Sequence, residues 1–361
     1  SPDKSVKWLL VDFPADCPAR GSAVYTLRDR GAKSGGSTLS VEQTAGGVTV
    51  VTGPLRCELK RECFNLFENI FLDHDRDGSF EESERVSRAA DKPGISLIDS
   101  LGELSASCFG KVRSFEIESA GPVRATILVR GALAAKSGKS ELDYTARIHF
   151  HAGSGFVRVF FTLANHNPTV PLVDRNGDRH WIMGRPGSVY MEDMSLGSAL
   201  AFDGPIQFSV GDGAGEILDR VVLTGRGGIY QESSGGENWF TRNHMNYKGE
   251  IPLSFRGAKI FLGKVEPYTR NRPEAWIHLA DRRWGIALGV RHFWQNFPKA
   301  LTATPEGEVR VGLWPGEFPD FGSKFSAIYS WSVIEHVRID LLPSVLTQLN
   351  RALADDGFIF I

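Results

Sequence analysis

Asp73-His74-Asp75-Arg76-Asp77-Gly78-Ser79-Phe80-Glu81-Glu82-Ser83-Glu84 places acidic side chains at the spacing a metal ion needs. Asp73, Asp75 and Asp77 occupy positions 1, 3 and 5 of a Ca²⁺-binding loop, and Gly78 stands at position 6, where the chain must turn sharply. Ser79 at position 7 offers its backbone carbonyl, Phe80 is the apolar anchor, and Glu84 at position 12 is the bidentate closing ligand. Carboxylates this close repel one another unless a cation sits between them. A structural Ca²⁺ is therefore the expected ligand, with a solvated surface turn as the alternative. EF-hands work in pairs and one such loop is present, so calcium signalling is not indicated. Asp174-Arg175-Asn176-Gly177-Asp178 has no closing Glu and reads as a turn.

Two further stretches concentrate polar and aromatic side chains. Between Arg270 and Leu301 lie Arg272, Trp276, His278, Trp284, Arg291, His292, Trp294, Gln295, Asn296 and Lys299, and between Asn238 and Lys248 lie Trp239, Arg242, His244 and Tyr247. Aromatic faces beside Arg and His suit a cleft for acidic sugars, with rings stacking on apolar sugar faces and guanidinium groups taking carboxylates. The plainer reading is core packing or satisfied surface groups. Neither a GxSxG nucleophile elbow nor a P-loop occurs.

The elements that must position these groups are strands. Pro122–Gly131 alternates Val123, Ala125, Ile127 and Val129 with Arg124, Thr126, Leu128 and Arg130. Leu39–Gln43 and Val48–Thr52 form a hairpin pattern around Ala45-Gly46-Gly47, and Leu142–His151 with Phe156–Ala164 form another around Ala152-Gly153-Ser154-Gly155. Ser5–Phe13, Ala23–Leu27, Leu55–Arg61, Ala275–Leu279, Gly285–Phe293 and Val309–Trp314 also read as strands. Phe64–Phe71, ahead of the acidic loop, suits either a helix or a strand, and its β-patterned surroundings favour the strand. With 39 glycines and evenly spaced turns, the chain is mainly β, of barrel or sandwich type. Ser326–Ile361 departs from this pattern and reads strand, helix, strand.

At 361 residues the chain accommodates two domains. A net charge of −2 without a long basic run argues against nucleic acid or an anionic membrane as partner. No apolar run reaches the roughly 18 residues of a membrane span. Both ends of the chain read as interior cuts, so the compartment is left open. None of Cys17, Cys57, Cys63 and Cys108 forms a CxxC pair, which argues against a zinc site. Free buried thiols are the preferred reading, and a disulfide stays open.

Ser5–Phe13, Gly53-Pro54-Leu55-Arg56, Gly121-Pro122-Val123-Arg124-Ala125 and the run from Arg291 to Lys299, continuing to Gly312-Leu313-Trp314-Pro315, together resemble the exo-rhamnogalacturonan-lyase-like family over about residues 1–320. The resemblance implies an N-terminal RIFT-like β-barrel (1–118), a central β-sandwich (119–322) and then an α/α-toroid, which this chain lacks. It also implies β-elimination at a uronic acid in a pectin backbone, hence an acidic polysaccharide or oligosaccharide as partner. That reaction needs the carboxylate neutralised, a base for the α-proton and an acid for the leaving oxygen. Arg242, His244, Tyr247, Arg291, His292 and Lys299 are the catalytic candidates. With the toroid missing, an incomplete and inactive cleft is expected. A non-catalytic glycan-binding or structural module is the alternative.

Ala327–Val337 and Leu349–Leu353 with Asp355-Asp356-Gly357 resemble the second half of a class I S-adenosylmethionine-dependent methyltransferase. The resemblance spans 325–361 and lacks the glycine-rich loop that would hold the cofactor. A methyltransferase fragment is thus a third functional reading.

Overall fold

The computed structural model describes residues 10–27, 36–88, 94–168, 172–173, 176–177, 179–180, 187–213, 215–234, 255–263 and 265–316. The strand–helix–strand reading of the C-terminal stretch falls outside these residues, as does the cluster around Arg242.

The protein is mainly β, and its organising element is one 12-stranded sheet. Its order is Val157–Ala164, Ser140–His151, Arg124–Ala135, Leu104–Ala106, Ile95–Asp99, Met191–Ala199, Glu308–Trp314, Lys299–Ala303, Gly227–Gln231, Ala258–Leu262 and Val265–Arg270, with Val112–Ala120 paired to Arg124–Ala135. The pairings are antiparallel throughout.

A smaller sheet packs on each half of the long one, so two sandwiches share it. Ser40–Gln43, Gly47–Val51, Leu55–Lys60 and Asn69–Leu72 cover the first half. Val50, Leu55, Cys57 and Leu59 there meet Ile127, Val129, Ile148 and Phe150. Gly215–Val222, Gln207–Asp212, Trp276–Ala280 and Gly285–Gly289 cover the second half, with Phe208, Val210, Ile277 and Leu279 against Ile229, Ile260, Leu301 and Val309. The alternation of each strand decides which side chains enter these cores. Tyr144 lies stacked on Phe64, and glycine at 131 makes room for it: a Cβ there would stand 2.5 Å from the Tyr144 hydroxyl oxygen.

Several expectations change. Among the described residues no sheet closes into a barrel, and hydrogen bonding runs without a break past residue 118, because Val112–Ala120 pairs along Arg124–Ala135. The described part of Ser5–Phe13, together with Ala23–Leu27, joins no sheet; Leu10, Val24 and Leu27 are exposed, so nothing pairs or buries these apolar runs. Gly285–Phe293 stays a strand only to Gly289, after which the chain turns. Before the acidic loop the strand reading holds, over Asn69–Leu72.

Two thiols expected to be free are bonded as Cys63–Cys108, while Cys57 is free and buried and Cys17 free and exposed. The Ser107 hydroxyl donates to the Phe64 carbonyl at 2.6 Å, which holds the two cysteine-bearing turns side by side.

Candidate functional site

The acidic loop leaves strand Asn69–Leu72 and ends in the short 3₁₀ turn Glu82–Glu84. Gly78 takes φ +83°, the left-handed turn that position 6 requires. Backbone N–H groups then organise the carboxylates. Gly78 donates to Asp73 Oδ2 (3.1 Å), Asp77 to Asp75 Oδ1 (3.2 Å), Ser79 to Asp77 Oδ1 (2.7 Å) and His74 to Glu84 Oε1 (3.0 Å). Asp73, Asp75 and Glu84 each bring one oxygen into a cluster within 4.8 Å; the Asp77 carboxylate is not part of this trio, and Ser79, expected to offer its main-chain carbonyl, follows it in the loop. Glu84 is buried. Burial pushes its pKa up, but the N–H groups of His74 and Glu81 outweigh that and hold the carboxyl below its ordinary range.

The second arrangement is the turn after Gly289. Trp294 Nε1 and Gln295 Nε2 both donate to Glu274 Oε1, at 3.1 and 3.0 Å. The Arg272 guanidinium lies 4.9 Å from the Trp294 ring centroid while its Nε donates to Ser234 O. Lys299 starts the next strand and donates to the backbone carbonyls of Pro298 (3.0 Å) and Leu313 (2.7 Å); burial lowers its pKa to about 7. Both bonds go to main chain, so the ammonium pins the turn to the sheet. Arg291 is exposed, and His292 takes φ +56°, its carbonyl accepting from Asn296 N at 3.1 Å. Arg291, His292 and Lys299 thus share one turn. Arg242, His244 and Tyr247 lie outside the described residues.

The third arrangement was not anticipated. Strands Arg124–Ala135, Ser140–His151 and Val157–Ala164 bury one face against the first small sheet and turn the other outward. Register places Arg124 beside His151, Thr126 beside His149 and His149 beside Arg158, with Arg147 beside Phe160. Phe156 and Phe160 are exposed. The Arg158 guanidinium stands 5.6 Å from the Phe156 ring centroid, and His149 meets Phe160 edge-on at 5.3 Å.

Arg124 and Thr126 approach His149 Nδ1 at 3.2 and 2.9 Å. Arg124 can only donate, so Nδ1 is the acceptor and the ring proton sits on Nε2. Burial, then the Arg124 charge, holds His149 below the ordinary imidazole range, and the same causes in the same order act on His151. Arg147 is committed to Glu118 (3.0 Å) and Arg124 to Asp12 (3.0 Å), whereas Arg158 has no carboxylate partner among the described residues. The signal for this face was in the sequence: His149 and His151 alternate with Ile148 and Phe150, and Arg158 and Phe160 with Val157, Val159 and Phe161.

Comparison with known proteins bears on this face directly. Residues 39–174 match the PcRGLX-like protein central beta sandwich domain. A relative, the uncharacterized protein YetA of Bacillus subtilis (strain 168), is 20% identical over 341 residues, covering 87% of this chain and 38% of its own length. The chain thus spans well under half the length of that relative. Both similarities support the rhamnogalacturonan-lyase-like family that the sequence resembles. The outer face formed by Arg124, His149, His151, Phe156, Arg158 and Phe160 lies wholly within the segment matching the PcRGLX-like sandwich domain, whereas the Arg291–Lys299 turn lies beyond it.

Proposed function

We propose that this chain is the sheet-built part of a rhamnogalacturonan-lyase-like carbohydrate-active protein, and that its outer face holds an acidic polysaccharide or oligosaccharide. The observation that carries this reading is Arg158: a guanidinium stacked on an exposed ring, free of any described carboxylate and flanked by a second exposed ring. A uronate would take the guanidinium through its carboxylate and the rings through its apolar face. His149, neutral at pH 7 with Nε2–H outward of its Arg124 contact, adds a hydrogen-bond donor. In β-elimination that N–H serves the leaving oxygen rather than the α-proton, because a base needs a free lone pair.

Among the described residues, His151 Nδ1 of this face is buried without a hydrogen-bond partner, and Lys299 is tied to two carbonyls elsewhere. Binding without turnover is the expected behaviour of the chain by itself. The test is calorimetry with rhamnogalacturonan oligosaccharides, alongside absorbance in the unsaturated-uronate band. Binding that neutral galactan does not compete away, with flat absorbance, is expected. Rising absorbance would replace the binding-only reading with elimination, and absence of binding would overturn the proposal.

A further inference from the structure

We infer that the Asp73–Glu84 loop binds one Ca²⁺ and that the ion locks the seam between the two sandwiches. This rests on different residues from the glycan reading and stands or falls separately.

The metal comes first. Oxygens held 2.3–2.6 Å from one Ca²⁺ lie at most about 5 Å apart, and those of Asp73, Asp75 and Glu84 lie within 4.8 Å. Asp73 Oδ2 is taken by Gly78 N–H, but Asp73 Oδ1 is buried with no hydrogen-bond partner. A buried carboxylate oxygen without a hydrogen-bond partner is expensive, and a cation at this point would relieve it. Glu84 keeps lone pairs for a metal, since each of its oxygens accepts from one backbone N–H and a carboxylate has about four acceptor sites. From 73 to 85 there are six carboxylates, at 73, 75, 77, 81, 82 and 84, against two guanidinium groups, at 76 and 85. Arg85 is spent on Glu82 and Asn69. His74 Nδ1 meets Glu84 Oε1 at 2.9 Å, and among the described residues neither Asp73 nor Asp75 has an ion-pair partner within 4 Å.

The position of the loop supplies its role. Past Glu84 the chain runs straight into a join with the shared sheet. Val86 accepts from Ala201 N (2.9 Å), Arg88 donates to Ala199 O (2.8 Å), and Ser87 bridges Leu200. The second sandwich closes on the same place: Arg283 donates to Ala201 O (2.9 Å), and Trp284 stacks on Phe202 at 4.4 Å. A small cavity lies between, with Leu72, His74, Glu84 and Val86 on the loop side and Arg283 and Trp284 on the other. Glu84 therefore belongs at once to the ligand cluster and to the wall facing the second sandwich. An ion that fixes Glu84 also fixes where residues 85–88 leave the loop, and hence how the first small sheet meets the turn at 281–284.

The test uses the whole chain with CaCl₂, MgCl₂ or chelator, and Asp75→Ala, whose side chain is exposed and whose loss should leave the fold in place, checked by an unchanged circular dichroism spectrum. Calorimetry should show one Ca²⁺ bound by the wild type and none by Asp75→Ala. Amide hydrogen exchange reads the seam. With Ca²⁺ at 100 times its Kd, the opened population should fall about a hundredfold, slowing exchange at Arg88 and Ala201 as well as within the loop, with no such change in Asp75→Ala. Absence of Ca²⁺ binding by the wild type overturns the site. Binding with protection confined to residues 73–84 overturns the seam.

Discussion

The Asp281 carboxylate accepts the main-chain N–H of Asp203 at 2.7 Å, 78 residues earlier in the chain. The same carboxylate takes the N–H groups of Arg283 (2.7 Å) and Trp284 (3.0 Å), so one side chain closes the turn and ties it to the strand-to-strand link at 203. Burial raises its pKa, but these three donors outweigh burial and hold it below the ordinary carboxylate range. A carboxyl whose folded pKa lies below its unfolded value of about 3.9 stabilises fully above that pH and loses the contribution as pH falls through the folded pKa. Asp281→Asn should cost about 1–3 kcal/mol at pH 7. Urea melts at pH 7 and pH 3 check this: the gap to wild type should narrow at the lower pH.

Lys299 faces Gln231 across neighbouring strands, in direct register. Burial lowers the ammonium pKa to about 7. Between pH 7 and the unfolded value of about 10.4 the unfolded chain binds the extra proton, so stability rises with pH across that window. Lys299→Met removes the dependence. Stability measured at pH 7 and pH 9.5 should shift in favour of the wild type at the higher pH, and parallel curves for the two proteins would contradict the assignment.

Asp193 is buried and paired with Arg310, with Gly316 N (2.9 Å) and Ser195 Oγ (3.2 Å) completing its shell. Its strand, Met191–Ala199, is hydrogen-bonded to Glu308–Trp314, so the pair staples the middle of the shared sheet. Arg310→Met leaves a buried carboxylate uncompensated and should cost about 3–5 kcal/mol. Pairing it with Asp193→Asn should recover part of that loss in denaturant melts, since the charge left behind carries most of the cost.

Arg158→Ala and Phe160→Ala change exposed side chains. Both should leave the melting temperature within a degree or two, as surface substitutions do. Each should weaken uronate-oligomer binding about tenfold, the size of one charge-assisted contact or one ring stack. Affinity for the wild type should rise only once pH falls below about 6.5, because His149 and His151, depressed by burial and by Arg124, gain charge beside the bound carboxylate below the ordinary imidazole range. Binding unchanged by Arg158→Ala would move the site elsewhere, with the Arg272–Trp294 platform next to be tested.

What could be read from sequence was what is local. The hairpin of Ser140–His151 with Val157–Ala164 is visible because a two-residue period and an intervening glycine turn lie within one short stretch. The acidic loop is visible for the same reason, its carboxylates being set by spacing along 12 residues. Residues 10–27 show the limit of that reasoning: Leu10, Val24 and Leu27 carry a strand's composition, but without a partner strand they join no sheet.

The mainly β character, the turns and the acidic spacing of Asp73, Asp75, Asp77 and Glu84 were legible from residue order, because each follows from neighbours along the chain. Tertiary packing made one sheet serve two sandwiches, through Ile95–Asp99 pairing with Met191–Ala199 and that strand with Glu308–Trp314. It alone set His149 between Thr126 and Arg158 and brought Glu84 up to Trp284. These are contacts between residues far apart in the chain, and which strand lies beside which depends on the packing of whole faces, which no local spacing encodes.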